Sequence, residues 1–305
     1  MITDIYFKQA ELLLRIIPLI DREDVFALKG GTAINFFVCD LPRISIDIDL
    51  VYLPLEEREL SLQAISDTLL RVGRNIESRI PGTKVHPRKT RDSDLLSGLF
   101  VRRDELMVKI EPNLIMRGSV YAPSRMSICP KARELFEVSL ECRTLSVDEI
   151  YAGKICAALD RQHPRDLFDI MILLKHGSFS GAMRKAFIVY LISHDRPMVE
   201  ILNPNLADIR PVFESEFQGM TLDEVTCEEL EQTREMLVSL IANNLTESEK
   251  KFIVSVKEGA PQWNLIDIKG VEKLPAVRWK LMNIGRMDSS KHKKAISKLR
   301  DYLGV

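Results

Sequence analysis

Apolar side chains recur at helical spacing over residues 6–20, and the short apolar run Val25 to Leu28 then reads as a buried strand. Thr32 through Phe37 is predicted as the first turns of a helix packed by Ile34, Phe36 and Phe37. From Ile44 to Leu53 polar and apolar residues alternate. In a strand this puts Asp47 and Asp49 on one face and Ile46, Ile48 and Leu50 on the other. A helix is predicted over 58–78. Between about 83 and 128 the rhythm shortens: Leu99 to Val101, Leu106 to Glu111 and Val120-Tyr121 are separated by charged or proline-bearing turns, which predicts an antiparallel or mixed sheet.

After Ser146 the pattern turns helical. Ser146-Val-Asp-Glu149 has capping-box form, with Ile150, Ile155, Ala158 and Leu159 on the apolar face behind it. Pro164 opens a further helix, and Gly177 ends it. Segments 180–193, 221–243, 246–258 and 291–303 also read as helices. The expected architecture is an α/β half, residues 1–140, followed by a mainly helical half, residues 141–305.

The 305 residues are 46% hydrophobic, enough for one large core or two ordinary ones. Forty-three Lys and Arg against 44 Asp and Glu leave a net charge of −1, so no global positive field marks a nucleic-acid binder; any such binding needs a local patch. Cys39, Cys129, Cys142, Cys156 and Cys227 are scattered, without a Cys-x-x-Cys pair, which argues against a zinc site or a disulfide framework and for a reducing compartment. Met1-Ile-Thr-Asp lacks a basic region, and the apolar run Leu12 to Ile20 is interrupted by Arg15 and Pro18. No signal peptide or membrane span is expected, and the cytoplasm is the expected location.

The chemistry concentrates in Lys29-Gly-Gly-Thr32 and Asp47-Ile-Asp49. Gly30 and Gly31 fall at a strand-to-helix turn, where the missing Cβ lets the backbone approach a phosphate and helix-start amides favour an anion. Thr32 caps that helix or bonds a phosphate oxygen, and Lys29 supplies a cation. Two neighbouring carboxylates repel, and a cation bound to both relieves the cost; Mg²⁺ suits carboxylate oxygens and completes its shell with water and substrate phosphates. The plain alternative is an edge strand with a solvated acidic face.

Four further features carry charge. Glu111 ends the strand-like run from Leu106, with Lys109 on its face. Lys154 interrupts an apolar helix face, where a buried ammonium needs an anion: a triphosphate, or an internal partner such as Glu149 or Asp148. Arg161, Arg165, Asp166 and Asp169 form a dense group that helix-surface pairing explains in part. His163 has no nucleophile to pair with and reads as a solvated helix-start residue. The basic stretches Arg71 to Arg79, Lys84 to Arg91, Arg102-Arg103 and Lys291 to Lys294 read singly as solvated faces; converging in space, they would form a groove for RNA.

Glycines at a helix start followed by Asp-x-Asp on the next strand resemble the DNA polymerase β-like nucleotidyltransferase superfamily. Within it the chain most resembles the AbiEii/AbiGii toxin family. The resemblance is carried by Leu28 to Ile34, Arg43 to Leu50, Val108 to Asn113 and Lys154 through Asp169, and more weakly by Leu274 to Lys280. Ile46 departs from the polar or acidic residue that family often has there. The resemblance implies a polymerase β-like catalytic domain with a mixed sheet, and a helical domain completing the active site. It implies Mg²⁺ on Asp47, Asp49 and the third acid Glu111. A nucleoside triphosphate would be steadied by Lys29, Gly30, Gly31, Thr32 and Lys154, and Asp166 or Asp169 would orient Lys154 or Arg165 toward phosphate. It further implies a bacterial toxin held by an antitoxin, with an RNA such as tRNA as acceptor. Two other readings stand beside it. Asp47-Ile-Asp49 after an apolar strand resembles the first motif of haloacid-dehalogenase-like phosphatases, which leaves the glycine turn unexplained, and a non-catalytic nucleotide-binding regulator would keep the same residues.

Overall fold

In a computed structural model, residues 3–90 and 93–305 are described. They divide into two compact units: Met1–Ile150 with Gln218–Glu224, and Tyr151–Phe217 with Val225–Val305.

The first unit is built on a mixed seven-stranded sheet, ordered β3-β4-β5-β2-β1-β7-β6. The strands are β1 Phe26–Lys29, β2 Asp47–Tyr52, β3 Lys84–Lys89, β4 Leu96–Arg103, β5 Leu106–Asn113, β6 Ser124–Ser127 and β7 Glu141–Thr144. Helices α1 (Asp4–Ile20) and α3 (Arg58–Arg79) pack on one face of it. Their apolar stripes, with Leu13, Ile16 and Ile17 on α1 and Ile65, Leu69, Val72 and Ile76 on α3, are buried, as are Ile48, Leu50, Leu99, Val101, Val108 and Ile110 of the strands. Period-two alternation then leaves Asp47, Asp49, Phe100, Lys109 and Glu111 half-buried on the opposite face.

Local chemistry moved several expected elements. The turn α2 (Gly30–Ala33) is followed by a π-helical turn over Ile34–Val38 in place of one regular helix. Val120 and Tyr121 form no strand, because both backbone N–H groups donate to Glu149 Oε2, at 2.9 and 3.1 Å. Of the expected capping box, the Glu149 N–H lies 3.3 Å from Ser146 Oγ. After α4 (Pro130–Leu135), β7 lies beyond residue 140, yet it pairs with β1 and β6.

The second unit is helical. It takes α5 (Val147–Asp160) from Tyr151 onward, then α6 (Pro164–His176), α7 (Gly181–Ser193), α8 (Met198–Leu202), α9 (Arg210–Glu216), α10 (Cys227–Asn244), α11 (Glu247–Glu258), α12 (Pro275–Gly285) and α13 (Ser289–Leu303). Thr226 and Thr246 open α10 and α11 with complete capping boxes. Buried Lys280 of α12 donates to His194 O at 2.5 Å, Arg196 O at 2.8 Å and Asp195 O at 3.3 Å, satisfying carbonyls just beyond α7. Cys39 is half-buried and the other cysteines are buried; all are unbridged, and burial pushes the Cys142 and Cys156 thiols up to about 12.

Candidate active site

The glycine turn and the acidic strand fit into each other. β1 and β2 are antiparallel neighbours, with Lys29 opposite Asp49. Gly30 has φ +71°, a left-handed backbone that glycine alone adopts freely, and a Cβ there would stand 2.3 Å from Asp49 Oδ2. The missing side chain thus makes room for a carboxylate. A Cβ on Gly31 would lie 2.8 Å from Arg43 Nη2 and 3.2 Å from Ser45 Oγ. Buried Thr32 donates to Asp47 O at 2.5 Å, and its hydroxyl lies 2.9 Å from Ser45 Oγ. It makes no helix cap; Lys29 occupies that position. Arg43, only 2% exposed, donates to Ile44 O, and its backbone bridges to Thr221. Every residue of Lys29-Gly-Gly-Thr32 thus has a counterpart in Arg43 to Asp49, which accounts for the spacing of the two motifs.

β5 lies parallel to β2, pairing Asp47 with Lys109 and Asp49 with Glu111. One lateral row accordingly runs Lys29, Asp49, Glu111, with one strand spacing of about 4.8 Å between neighbours. On β4, one residue beyond the Leu99–Ile110 pair, Gly98 pairs with Arg88 of β3. A Cβ on Gly98 would stand 2.7 Å from Ile110 O and 3.5 Å from the Arg88 guanidinium. Across that gap Arg88 Nη1 donates to Glu111 Oε1, while its Nε donates to Ser97 Oγ at 3.1 Å. Gly98, Arg88 and Ser97 were not singled out from sequence. Their signal, a glycine within a strand pattern, becomes readable only once register is known.

Among the described residues no group of three or more acidic, His or Cys side chains is arranged to hold a metal ion. Asp47 and Asp49 offer the two-carboxylate chemistry that suits Mg²⁺, which is bound through one or two carboxylates plus substrate phosphates and water. Glu111, with Oε1 on Arg88, is not grouped with them as a third ligand.

In the second unit Lys154 Nζ lies 2.7 Å from Asp166 Oδ1 and 3.0 Å from Asp169 Oδ2, all three side chains at most 6% exposed. Arg161 completes the group through both Asp166 oxygens. Burial alone would raise the Asp166 carboxyl; the charges of Lys154 and Arg161 and their hydrogen bonds outweigh it and hold the group well below the usual carboxylate range. His163 is not solvated: its side chain is 15% exposed and caps α6, Nδ1 accepting from Arg165 N at 3.1 Å and Nε2 lying 3.2 Å from Glu216. That assigns the proton to Nε2, and burial lowers its pKa.

No described helix is long and apolar enough to cross a membrane. No match was found among curated protein sequences. Among solved structures the chain is similar to MenT4, a nucleotidyltransferase toxin from Mycobacterium tuberculosis H37Rv, at 14% identity and a TM-score of 0.58, covering 96% of this chain and 94% of that one. That likeness supports the mixed α/β fold class read from the sequence. Residues 11–281 match the family described as "Nucleotidyl transferase AbiEii toxin, Type IV TA system". With most of its length inside that match, the chain belongs to the AbiEii family and is a nucleotidyltransferase.

Proposed function

We propose that this protein transfers a nucleoside monophosphate from a nucleoside triphosphate to a hydroxyl of an RNA such as tRNA, in the cytoplasm of a bacterium, under the control of a cognate antitoxin. The observation that carries the reading is the nesting of Asp49 against Gly30: the turn at which backbone can approach phosphate and the carboxylate pair suited to Mg²⁺ occupy one spot. Mg²⁺ would be held by Asp47 and Asp49, and bound there it supplies charge neutralisation for the phosphates and lowers the pKa of a coordinated hydroxyl.

The chain's own groups do the rest. Amides of the Gly30-Gly31 turn and the Lys29 ammonium orient the triphosphate. The acceptor oxygen forms a bond to the α-phosphorus, the bond from that phosphorus to the β-phosphate bridge breaks, and pyrophosphate departs. The hydroxyl proton passes to Glu111 or to solvent. Arg88 fixes one Glu111 oxygen and leaves the other for that task. Positioning and electrostatic neutralisation supply most of the acceleration. For Lys154, Asp166, Arg165 and Asp169 we retain a part in holding phosphate, since an ammonium shared by two carboxylates can exchange one of them for a phosphate oxygen. The family match leaves the phosphatase reading without support.

Transfer is tested by offering each of four α-labelled nucleoside triphosphates with Mg²⁺ and bacterial RNA to wild type and to Asp47→Ala/Asp49→Ala. Label on RNA with wild type alone is expected. Equal labelling by the variant, or release of inorganic phosphate in place of transfer, overturns the assignment.

A further inference from the structure

The carboxylate-bearing face of the sheet continues past the acidic pair, and its continuation is of a different character. In register, Asp47 pairs with Lys109, Lys109 with Phe100, and Phe100 with His86. The adjacent row runs Met107, Arg102, Lys84. Residues in register share a face, so half-buried Phe100 and Met107 stand on the Asp47 side with His86, Arg102 and Lys84 exposed around them. His86, Phe100, Arg102 and Met107 line an open groove of about 480 Å³. No Phe, Tyr or Trp ring packs against Phe100 among the described residues. Two of the basic stretches that read as separate solvated faces in sequence, Lys84 to Arg91 and Arg102-Arg103, therefore meet here through strand pairing, Lys84 directly opposite Arg102.

We propose that this groove seats a nucleobase at the unpaired end of the RNA acceptor, stacked on Phe100, with Lys84, Arg102 and Lys109 meeting the adjoining phosphates. The inference rests on the transfer reading and gives its acceptor a place. An aromatic ring inside a fringe of cations is the chemistry by which single strands are held: stacking accepts any base, and the cations follow the backbone. The side of the sheet decides between the two nucleotide sources. Lys29 and the Gly30 turn lie on the β1 side of Asp49, so the triphosphate belongs there; Phe100 lies on the other side of Asp47, two strand spacings or about 10 Å away. An in-line displacement brings nucleophile and leaving group to opposite sides of the phosphorus, and the β4–β3 side is left for the acceptor. Glu111 on β5, held by the Arg88 guanidinium, lies between the two and stands where the attacking hydroxyl arrives.

The test is fluorescence anisotropy of a 5′-labelled single-stranded octaribonucleotide, set beside an abasic ribose-phosphate octamer and a fluorescent triphosphate with Mg²⁺, on wild type, Phe100→Ala, Phe100→Leu, Phe100→Trp and Arg102→Ala. Phe100→Ala and Phe100→Leu are expected to weaken RNA binding about 5- to 100-fold, with abasic and triphosphate binding unchanged and Phe100→Trp near wild type. Arg102→Ala should weaken both polymers and lower the slope of log affinity against log salt by about one. A well-folded Phe100→Leu that binds RNA like wild type overturns the proposal. So does selective loss of triphosphate binding, which would give the groove to the incoming nucleotide. Phe100-dependent RNA binding without any labelling of RNA would sink the transfer reading and leave the groove assignment standing.

Discussion

Two clusters of charge in this chain solve opposite problems. In the first unit Asp47, Asp49 and Glu111 lie half-buried on an open sheet face, two of them in register with each other. In the second unit Lys154, Asp166 and Asp169 are at most 6% exposed and the Lys154 ammonium lies within 3.0 Å of both carboxylates, with Arg161 on Asp166 balancing the sum. The first arrangement keeps contact with water and, at Glu111, with Arg88; the second, cut off from water, requires its charges to be paired internally. The lesson is that neighbouring like charges left accessible mark a place for a ligand, whereas a neutralised buried set holds helices α5 and α6 together whatever else it does.

The largest effect should come from breaking the buried set. Lys154→Met leaves two carboxylates without their shared cation and is expected to cost about 3–5 kcal/mol, read as a lower urea midpoint at unchanged slope. The sign of the pH dependence follows from Asp166. Its folded-state pKa is depressed, so its contribution is complete above the unfolded value near 3.9 and is lost as pH falls from there toward the folded one. Wild type should therefore lose stability below about pH 4, and Asp166→Asn, already destabilised, should show a shallower acid limb. An equally steep limb in the variant would assign the acid loss to other groups.

The half-buried pair Asp47 and Asp49 should respond the other way. Asp49→Asn is expected to lower the rate of transfer by at least about 10²–10³-fold, while the thermal midpoint stays within about 2 °C of wild type or rises as repulsion is relieved. A fall of many degrees would make Asp49 structural and erase the contrast between the clusters. Gly30→Ala joins the two effects, because it strains a φ of +71° and drives a methyl into Asp49; about 1–3 kcal/mol of stability and most of the transfer should go together. Smallest of all, Arg88→Ala should cost at most about 1 kcal/mol of stability, its side chain being 41% exposed, yet slow transfer about tenfold by freeing Glu111. A double-mutant cycle with Glu111→Gln checks this: the two losses should fail to add.

Much of this was legible in one dimension. Period two over Ile44 to Leu53 and helical spacing over 6–20 and 58–78 follow from which face each residue must bury, and the corresponding strand and helices formed at Asp47–Tyr52, Asp4–Ile20 and Arg58–Arg79. The sheet read between about 83 and 128 formed as β3 to β6, although the edge strands β3, with Pro87 and several cations, and β6 carry no apolar alternation of their own; β7, four residues between β1 and β6, lay outside that reading. Lys154 needed an anion by its setting in an apolar face. Only the family resemblance tied Asp166 and Asp169 to Lys154; that both carboxylates ion-pair with it is a matter of tertiary structure.

Residue types were set along the chain alone: glycines where no Cβ fits, two carboxylates alternating on a strand, a lone ammonium among apolar neighbours. Each follows from local backbone geometry and the cost of burying charge. Tertiary structure alone decided the pairings. Strand register placed Asp49 between Lys29 and Glu111, let Arg88 reach across Gly98, and gathered His86, Phe100 and Arg102 beside the acids, since hydrogen bonding between strands joins residues that no sequence period relates.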